Sequence, residues 1–170
     1  MLLKHPKTLI TGTPGVGKTT LIKNILAKLP PQSSTGFYTS EIRLGGVRQG
    51  FELQALGGDR QILAHVKLSS PWRVGKYRVD VPGLDRFLDH RDLLKHNADV
   101  IVIDEIGKME LFSTKFQDLV HQLLTSKRQV LATIAMQGSG FINRVKQMPQ
   151  VKIFQLTLAN RDHLIDQILR

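Results

Sequence analysis

Two short stretches of this chain carry the residue types needed for chemistry on a phosphate chain. The first is Gly12-Thr13-Pro14-Gly15-Val16-Gly17-Lys18-Thr19, followed by Thr20, which satisfies G-x-x-x-x-G-K-[ST] at every fixed position. A phosphate chain concentrates several negative charges, so many donors must converge on a small volume. Glycines let successive backbone N–H groups turn inward, and the positive end of the following helix adds to that field. A side chain at Gly15 or Gly17 would crowd the phosphates or forbid the required dihedrals. Lys18 is placed to reach the β and γ oxygens, and the Thr19 hydroxyl to ligate magnesium.

The second stretch is Ile101-Val102-Ile103-Asp104-Glu105. A loop of the first kind binds a nucleotide without cutting it; cutting needs a carboxylate for the metal and another to orient water. An acid at the end of a buried apolar strand stands at the carboxyl edge of a sheet, where open α/β sheets bind ligands. Asp104 is therefore assigned to the metal with Thr19, and Glu105 to aligning the attacking water or accepting its proton, as the catalytic base. The plainer alternative is an acidic pair that begins a solvated loop.

Four further places are candidates. Thr133, near the end of an apolar strand, could touch the γ phosphate or water, although threonine in strands commonly reflects β propensity alone. Arg73 and Arg144 could neutralise transition-state charge, or be surface arginines. Asn160-Arg161 follows the last strand and could border the base by amide hydrogen bonding or guanidinium stacking. Capping of a terminal helix would explain Asn160 equally well. The six histidines show no ligand spacing, so no zinc site is expected.

These residues need a scaffold, and the apolar pattern supplies one. Residues 8–11 read as a buried strand, and Leu21, Ile22, Ile25, Leu26 and Leu29 recur at helical spacing until Pro30-Pro31. From about 35 to 81 short runs punctuated by glycine read as an antiparallel meander, with strands around 36–43, 48–56, 61–67 and 77–81. Helical spacing returns through Leu84, Phe87, Leu88, Leu93 and Leu94. Strands at 99–104, 129–134 and 151–156 then alternate with helices at 116–124, 141–147 and 162–170. Alternation of this kind predicts an α/β fold with a mainly parallel sheet covered on both faces, the meander being an insertion or edge extension. Residues 1–170 read as one domain.

Composition narrows the classes. Of 170 residues 41% are hydrophobic, enough for a real core, and cysteine is absent, which excludes disulfides and thiolate metal sites. No apolar run is long enough to cross a membrane and the amino terminus lacks a secretory pattern, so a soluble, cytoplasmic protein is expected. The formal charge of +10 suits a polyanionic ligand, but the 24 lysines and arginines are scattered rather than blocked. Nucleic acid is thus possible and not favoured.

With these residues in place, the chain resembles the THEP1 family of nucleoside triphosphatases over nearly its whole length. The resemblance rests on residues 11–21, on Gly36-Phe37-Tyr38-Thr39-Ser40-Glu41-Ile42-Arg43, on Gly50-Phe51 and on Val79-Asp80-Val81. It continues through Ile103-Asp104-Glu105-Ile106-Gly107-Lys108-Met109-Glu110-Leu111 and Asn160-Arg161-Asp162. It implies a RecA-like core and slow, magnesium-dependent hydrolysis of a broad set of nucleoside triphosphates, ATP and GTP among them, to diphosphate and phosphate. It also implies a supporting role for Lys108 and Glu110 beside the site. Poor base selectivity fits the lack of an N-K-x-D motif.

Two other classes compete. A nucleotide or nucleoside kinase shares the size, the loop and the sheet but usually needs an arginine-rich lid; residues 44–60 read as hairpins instead. An RNA-associated module suits the charge, yet no RNA-recognition signature is present and the aromatics are few, at seven Phe, two Tyr and one Trp.

Overall fold

The computed structural model describes residues 2–138 and 140–170. Nine strands form one sheet: β1 (Lys7–Thr11), β2 (Ser34–Leu44), β3 (Val47–Ala55), β4 (Arg60–His65), β5 (Arg73–Val74), β6 (Tyr77–Val79), β7 (Val100–Ile106), β8 (Gln129–Ile134) and β9 (Lys152–Gln155). Their order is β5-β6-β4-β3-β2-β7-β8-β1-β9. The pairings β2·β7, β7·β8, β8·β1 and β1·β9 are parallel, and all pairings among β2 to β6 are antiparallel. The helices are α1 (Lys18–Lys28), α2 (Val81–Arg91), α3 (Thr114–Thr125), α4 (Phe141–Lys146) and α5 (Leu164–Ile168).

Strand β7 is apolar at every position from Val100 to Ile103 because each face of the sheet has its own core. Leu9, Ile101, Ile103, Val130 and Ala132 face α2, α3 and α4, whereas Ile10, Val100, Val102 and Leu131 face α1 and α5. Period-two alternation therefore distributes side chains between two apolar layers, as parallel sheets require. On α3 the residues Phe116, Leu119, Val120, Leu123 and Leu124 are buried along one stripe. Burial of each contributes about 1.5–3 kcal/mol, far more than helix propensity does. Ser113 starts that helix by accepting from the Phe116 N–H at 2.9 Å.

The two halves of the sheet meet in β2. Its residues Ser34 to Phe37 pair with Val100 to Ile103 of β7, and from Phe37 onward it pairs with β3, so the β2–β3 hairpin runs past the carboxyl end of the parallel strands. At the junction Gly36 has φ +126°, and a Cβ there would collide with the Val102 carbonyl oxygen. Only glycine allows β2 to approach β7 so closely.

The meander is thus an edge extension of the same sheet. Its fourth segment differs from the expectation from sequence: Val81 opens α2 instead of ending a strand. Asp80 accepts from the Gly83 N–H at 2.9 Å and Pro82 sits in the first turn, where its missing N–H costs nothing. The terminal helix is also shorter than 162–170. Asn160 accepts from the Thr157 N–H and donates to the Gln155 carbonyl, both at 2.8 Å, and this local turn holds the backbone until α5 begins at Leu164. Among the described residues no helix is long and apolar enough to cross a membrane.

Candidate active site

The loop between β1 and α1 takes its shape from backbone dihedrals. Gly15 and Gly17 have φ +77° and +106°, and nothing lies within 4 Å of where a Cβ would stand at either. Glycine is required there by conformation, not by room inside the protein. The buried Val16 side chain anchors the loop in the α1-side core, and its N–H donates to the Thr13 carbonyl at 3.3 Å. Lys18 folds back over the loop, its Nζ donating to the carbonyls of Gly12 at 2.9 Å and Thr13 at 3.2 Å. No acidic residue occupies the first turn of α1, so its positive end is available to an anion.

Asp104 and Glu105 stand where the β7–β8 ladder breaks register. Ile103 pairs with Ala132 and Ile106 with Ile134, so two residues of β7 face Thr133 alone. Such a bulge re-aims side chains at a sheet edge. Asp104 is buried, and threonines from three elements hold it. Thr19 of α1 donates to Oδ2 at 2.6 Å, Thr133 of β8 donates to Oδ1, and Thr39 of β2 donates to the Asp104 backbone carbonyl at 2.6 Å. Burial pushes the Asp104 carboxyl above the ordinary carboxylate range, and hydrogen bonds to it from the Thr133 and Thr19 hydroxyls and from the Thr39 backbone, with the Lys18 charge, oppose that rise.

Two more carboxyls lie beside it. Glu105 is half-buried; desolvation raises its pKa, the Lys18 ammonium opposes the rise and the Asp104 charge adds to it. Glu110, in the 3-10 turn Glu110–Phe112, is fully enclosed, and burial followed by the nearby Glu105 charge pushes it up to about 8. Both reach Gly107: a Cβ there would lie 3.1 Å from Glu105 Oε1 and 3.2 Å from Glu110 Oε2. The Thr19 hydroxyl and Asp104 carboxylate form a hard-oxygen pair that fits magnesium. Among the described residues no three acids or imidazoles converge into an all-protein cage, and magnesium held partly by substrate phosphates needs none.

A cavity of about 870 Å³ joins these groups. Gly12, Pro14, Gly15, Gly17, Lys18, Thr19, Thr20, Asp104 and Glu105 line it together. Thr13 contributes its carbonyl to Lys18, and the Thr133 hydroxyl donates to the Asp104 carboxylate. The two arginines proposed from sequence lie elsewhere. Arg73 is on the outermost strand, its Nε donating to the Gly75 carbonyl at 2.6 Å, and the exposed Arg144 lies over the Phe141 ring on α4. Asn160 and Arg161 are also outside the cavity lining, because the Asn160 amide is used in its own turn. Sequence reasoning missed Thr39 and Arg48. Arg48 is the arginine that lines the cavity, tied to Glu41 on the facing strand at 2.9 Å. Its only signal was two opposite charges on adjacent strands of a hairpin, which require the register to be known.

Similarity to known proteins agrees with this geometry. A family model described as NTPase matches residues 7–169. The chain is 46% identical over 165 residues to the nucleoside-triphosphatase THEP1 of Thermotoga sp. (strain RQ2), covering 96% of this chain and 93% of that one. It is similar to the crystal structure of THEP1 from the hyperthermophile Aquifex aeolicus, with TM-score 0.83, 37% identity and 95% of each chain covered. It is also similar to the solution structure of a human cancer-related nucleoside triphosphatase, with TM-score 0.76, 38% identity, and 95% of this chain and 94% of that one covered. Matched end to end by the family model and by relatives of the same fold, this chain belongs to the THEP1 family of P-loop nucleoside-triphosphatases.

Proposed function

We propose that this chain hydrolyses nucleoside triphosphates to nucleoside diphosphate and phosphate, with magnesium and with little preference for the base. The observation that carries the reading is the hydrogen bond from Thr19 to Asp104, which joins the phosphate loop to the acidic end of β7 with Glu105 in the same cavity. Thr19 and Asp104 would hold magnesium, which neutralises charge on the β and γ oxygens when bound. The loop N–H groups and Lys18 bind the phosphates and receive the charge that develops on the departing bridging oxygen. Glu105 aligns water against the γ phosphorus and accepts its proton, and the desolvation that raises its pKa makes it a better acceptor. Burial favours the protonated form of Glu110, which limits the negative charge of the cluster.

Phosphate release from ATP, GTP, CTP and UTP tests this. All four are expected to be substrates, and Glu105→Gln is expected to lower turnover about a hundredfold or more while leaving nucleotide affinity close to that of the parent. Unchanged turnover in Glu105→Gln would remove Glu105 from the role of base.

A further inference from the structure

Hydrolysis shifts negative charge along the phosphate chain, and a cation that reaches the γ phosphoryl group only at that moment raises the rate without tightening substrate binding. Arg73 and Arg144, assigned to this task from sequence, are not among the residues that line the cavity. The lysines and arginines that do line it are Lys18, Arg48 and Lys108. Two of them are engaged. Lys18 donates to the carbonyls of Gly12 and Thr13, and Arg48 is tied at the surface to Glu41 and to the Tyr77 hydroxyl. Lys108 is exposed, and the lysine ion pairs among the described residues are those of Lys95 with Asp92 and Lys115 with Asp89, so Lys108 has none. Nor does its charge act on the acids nearby: the cation that opposes the raised pKa of Asp104 and of Glu105 is Lys18.

The backbone that carries Lys108 is, by contrast, fixed. Strand β7 ends at Ile106, which pairs with Ile134 just after the bulge, and Gly107 is buried. The Gly107 carbonyl accepts from the Leu111 N–H at 3.1 Å, while Met109 and Leu111 pack against the core on the side of α2 and α3. Gly107 borders the Glu105 carboxylate, since a Cβ there would lie 3.1 Å from Oε1. The Lys108 Cα is one peptide step, about 3.8 Å, from that of Gly107. A flexible four-carbon stem rooted there reaches the space in front of Glu105, where the γ phosphoryl group stands when Glu105 aligns its water. Resting on that reading of Glu105, we propose that Lys108 contacts the γ phosphoryl oxygens in the transition state and supplies, from within the chain, the positive charge that a partner would otherwise bring. The water oxygen forms a bond to the γ phosphorus, the bond to the β–γ bridging oxygen breaks with its electron pair going to the diphosphate, and the water proton goes to Glu105. Lys108 stays protonated and changes no bond. An ammonium with no partner to give up moves onto the phosphoryl oxygens at no cost in broken ion pairs, and the anchored turn keeps its root beside the reacting group.

The test compares the full chain with Lys108→Met, which keeps the stem and removes the charge, and with Lys108→Arg, which keeps the charge. Phosphate release from ATP with magnesium gives kcat and KM. Affinity is measured separately for the non-hydrolysable β,γ-imido analogue of ATP and for ADP with aluminium fluoride, a mimic of the phosphoryl group in transfer. Lys108→Met is expected to lower kcat about tenfold or more, to leave the affinity for the imido analogue within about threefold, and to weaken the aluminium fluoride complex by a factor close to the loss in kcat. Lys108→Arg is expected to recover most of the rate. A kcat within about twofold of the parent in Lys108→Met overturns the inference and leaves hydrolysis through Glu105 standing. A lower kcat with an unchanged aluminium fluoride complex means that Lys108 acts away from the transferred group, and an arginine variant as slow as Lys108→Met means that its charge is not what matters; either result overturns it too. If the parent chain releases no phosphate, this inference and the hydrolysis reading fall together.

Discussion

The parallel and antiparallel halves of the sheet handle charge in opposite ways. In the parallel half the acids are buried and, among the described residues, held without a cationic partner in contact: Asp104 among three threonines, Glu105 half-covered, Glu110 enclosed. Their pKa values are raised by desolvation. In the antiparallel half Glu41 is exposed and Glu52 half-buried, and both are neutralised by arginines. Glu41 meets Arg43 and Arg48, Glu52 meets Arg60, and hydrogen bonding from Arg48 holds Glu41 below the ordinary range. Free energy is stored where charge is desolvated, so the parallel half carries the reactive groups, whereas the hairpins shape the space in front of them. The difference follows from coverage: helices lie on both faces of the parallel strands, while β2 and β3 extend past them into solvent.

Gly36→Ala attacks the seam between the two halves and should have the largest effect on stability. The added Cβ meets the Val102 carbonyl and an unfavourable φ together, for a loss of about 3 kcal/mol in urea unfolding. A loss under about 1 kcal/mol would mean that the halves are not rigidly joined there.

Glu110→Gln sharpens the contrast in charge. The folded-state pKa of Glu110, about 8, lies above its ordinary 4.5, so the folded chain retains a proton that the unfolded chain releases. Its contribution to stability is fully present below about pH 4.5 and is lost as pH rises through 8. The amide fixes the neutral form, so Tm should fall less steeply between pH 5 and 8 than in the parent. An identical slope would show that Glu110 is not a buried acid.

Glu41→Gln in the other half should change unfolding stability least, within about 1 kcal/mol, because its partners are solvent-exposed surface charges. A larger loss would give the hairpin a structural weight its exposure does not suggest.

Much of this arrangement is legible in the order of residues alone. The loop motif is local, and its glycines, lysine and threonine act within one turn of the chain. The run Val100 to Ile103 is apolar at every position because both faces of its strand are covered, which places Asp104 at the edge. The arginines mark the limit of such legibility. Arg73 and Arg144 carry the same charge as Arg48, and only the antiparallel register of β2 and β3 brings Arg48 against Glu41 and into the cavity. Asn160 shows the same limit, since one amide can cap a helix, meet a base or close its own turn, and the local hydrogen bonds to Thr157 and Gln155 become visible only in the fold.

By itself the sequence determined the phosphate loop, the acidic strand end, the alternation that makes an α/β sheet and the family. Each depends on residues near one another in the chain, where spacing is geometry. Only the tertiary structure decided that Thr19, Thr39 and Thr133 converge on Asp104, that Glu110 is buried beside Glu105, and that Arg48 and Phe51 line one cavity with the loop. Those contacts join elements far apart in the chain through strand order, register and a one-residue bulge, and a shift of one residue in any of them would turn the side chains to the opposite face.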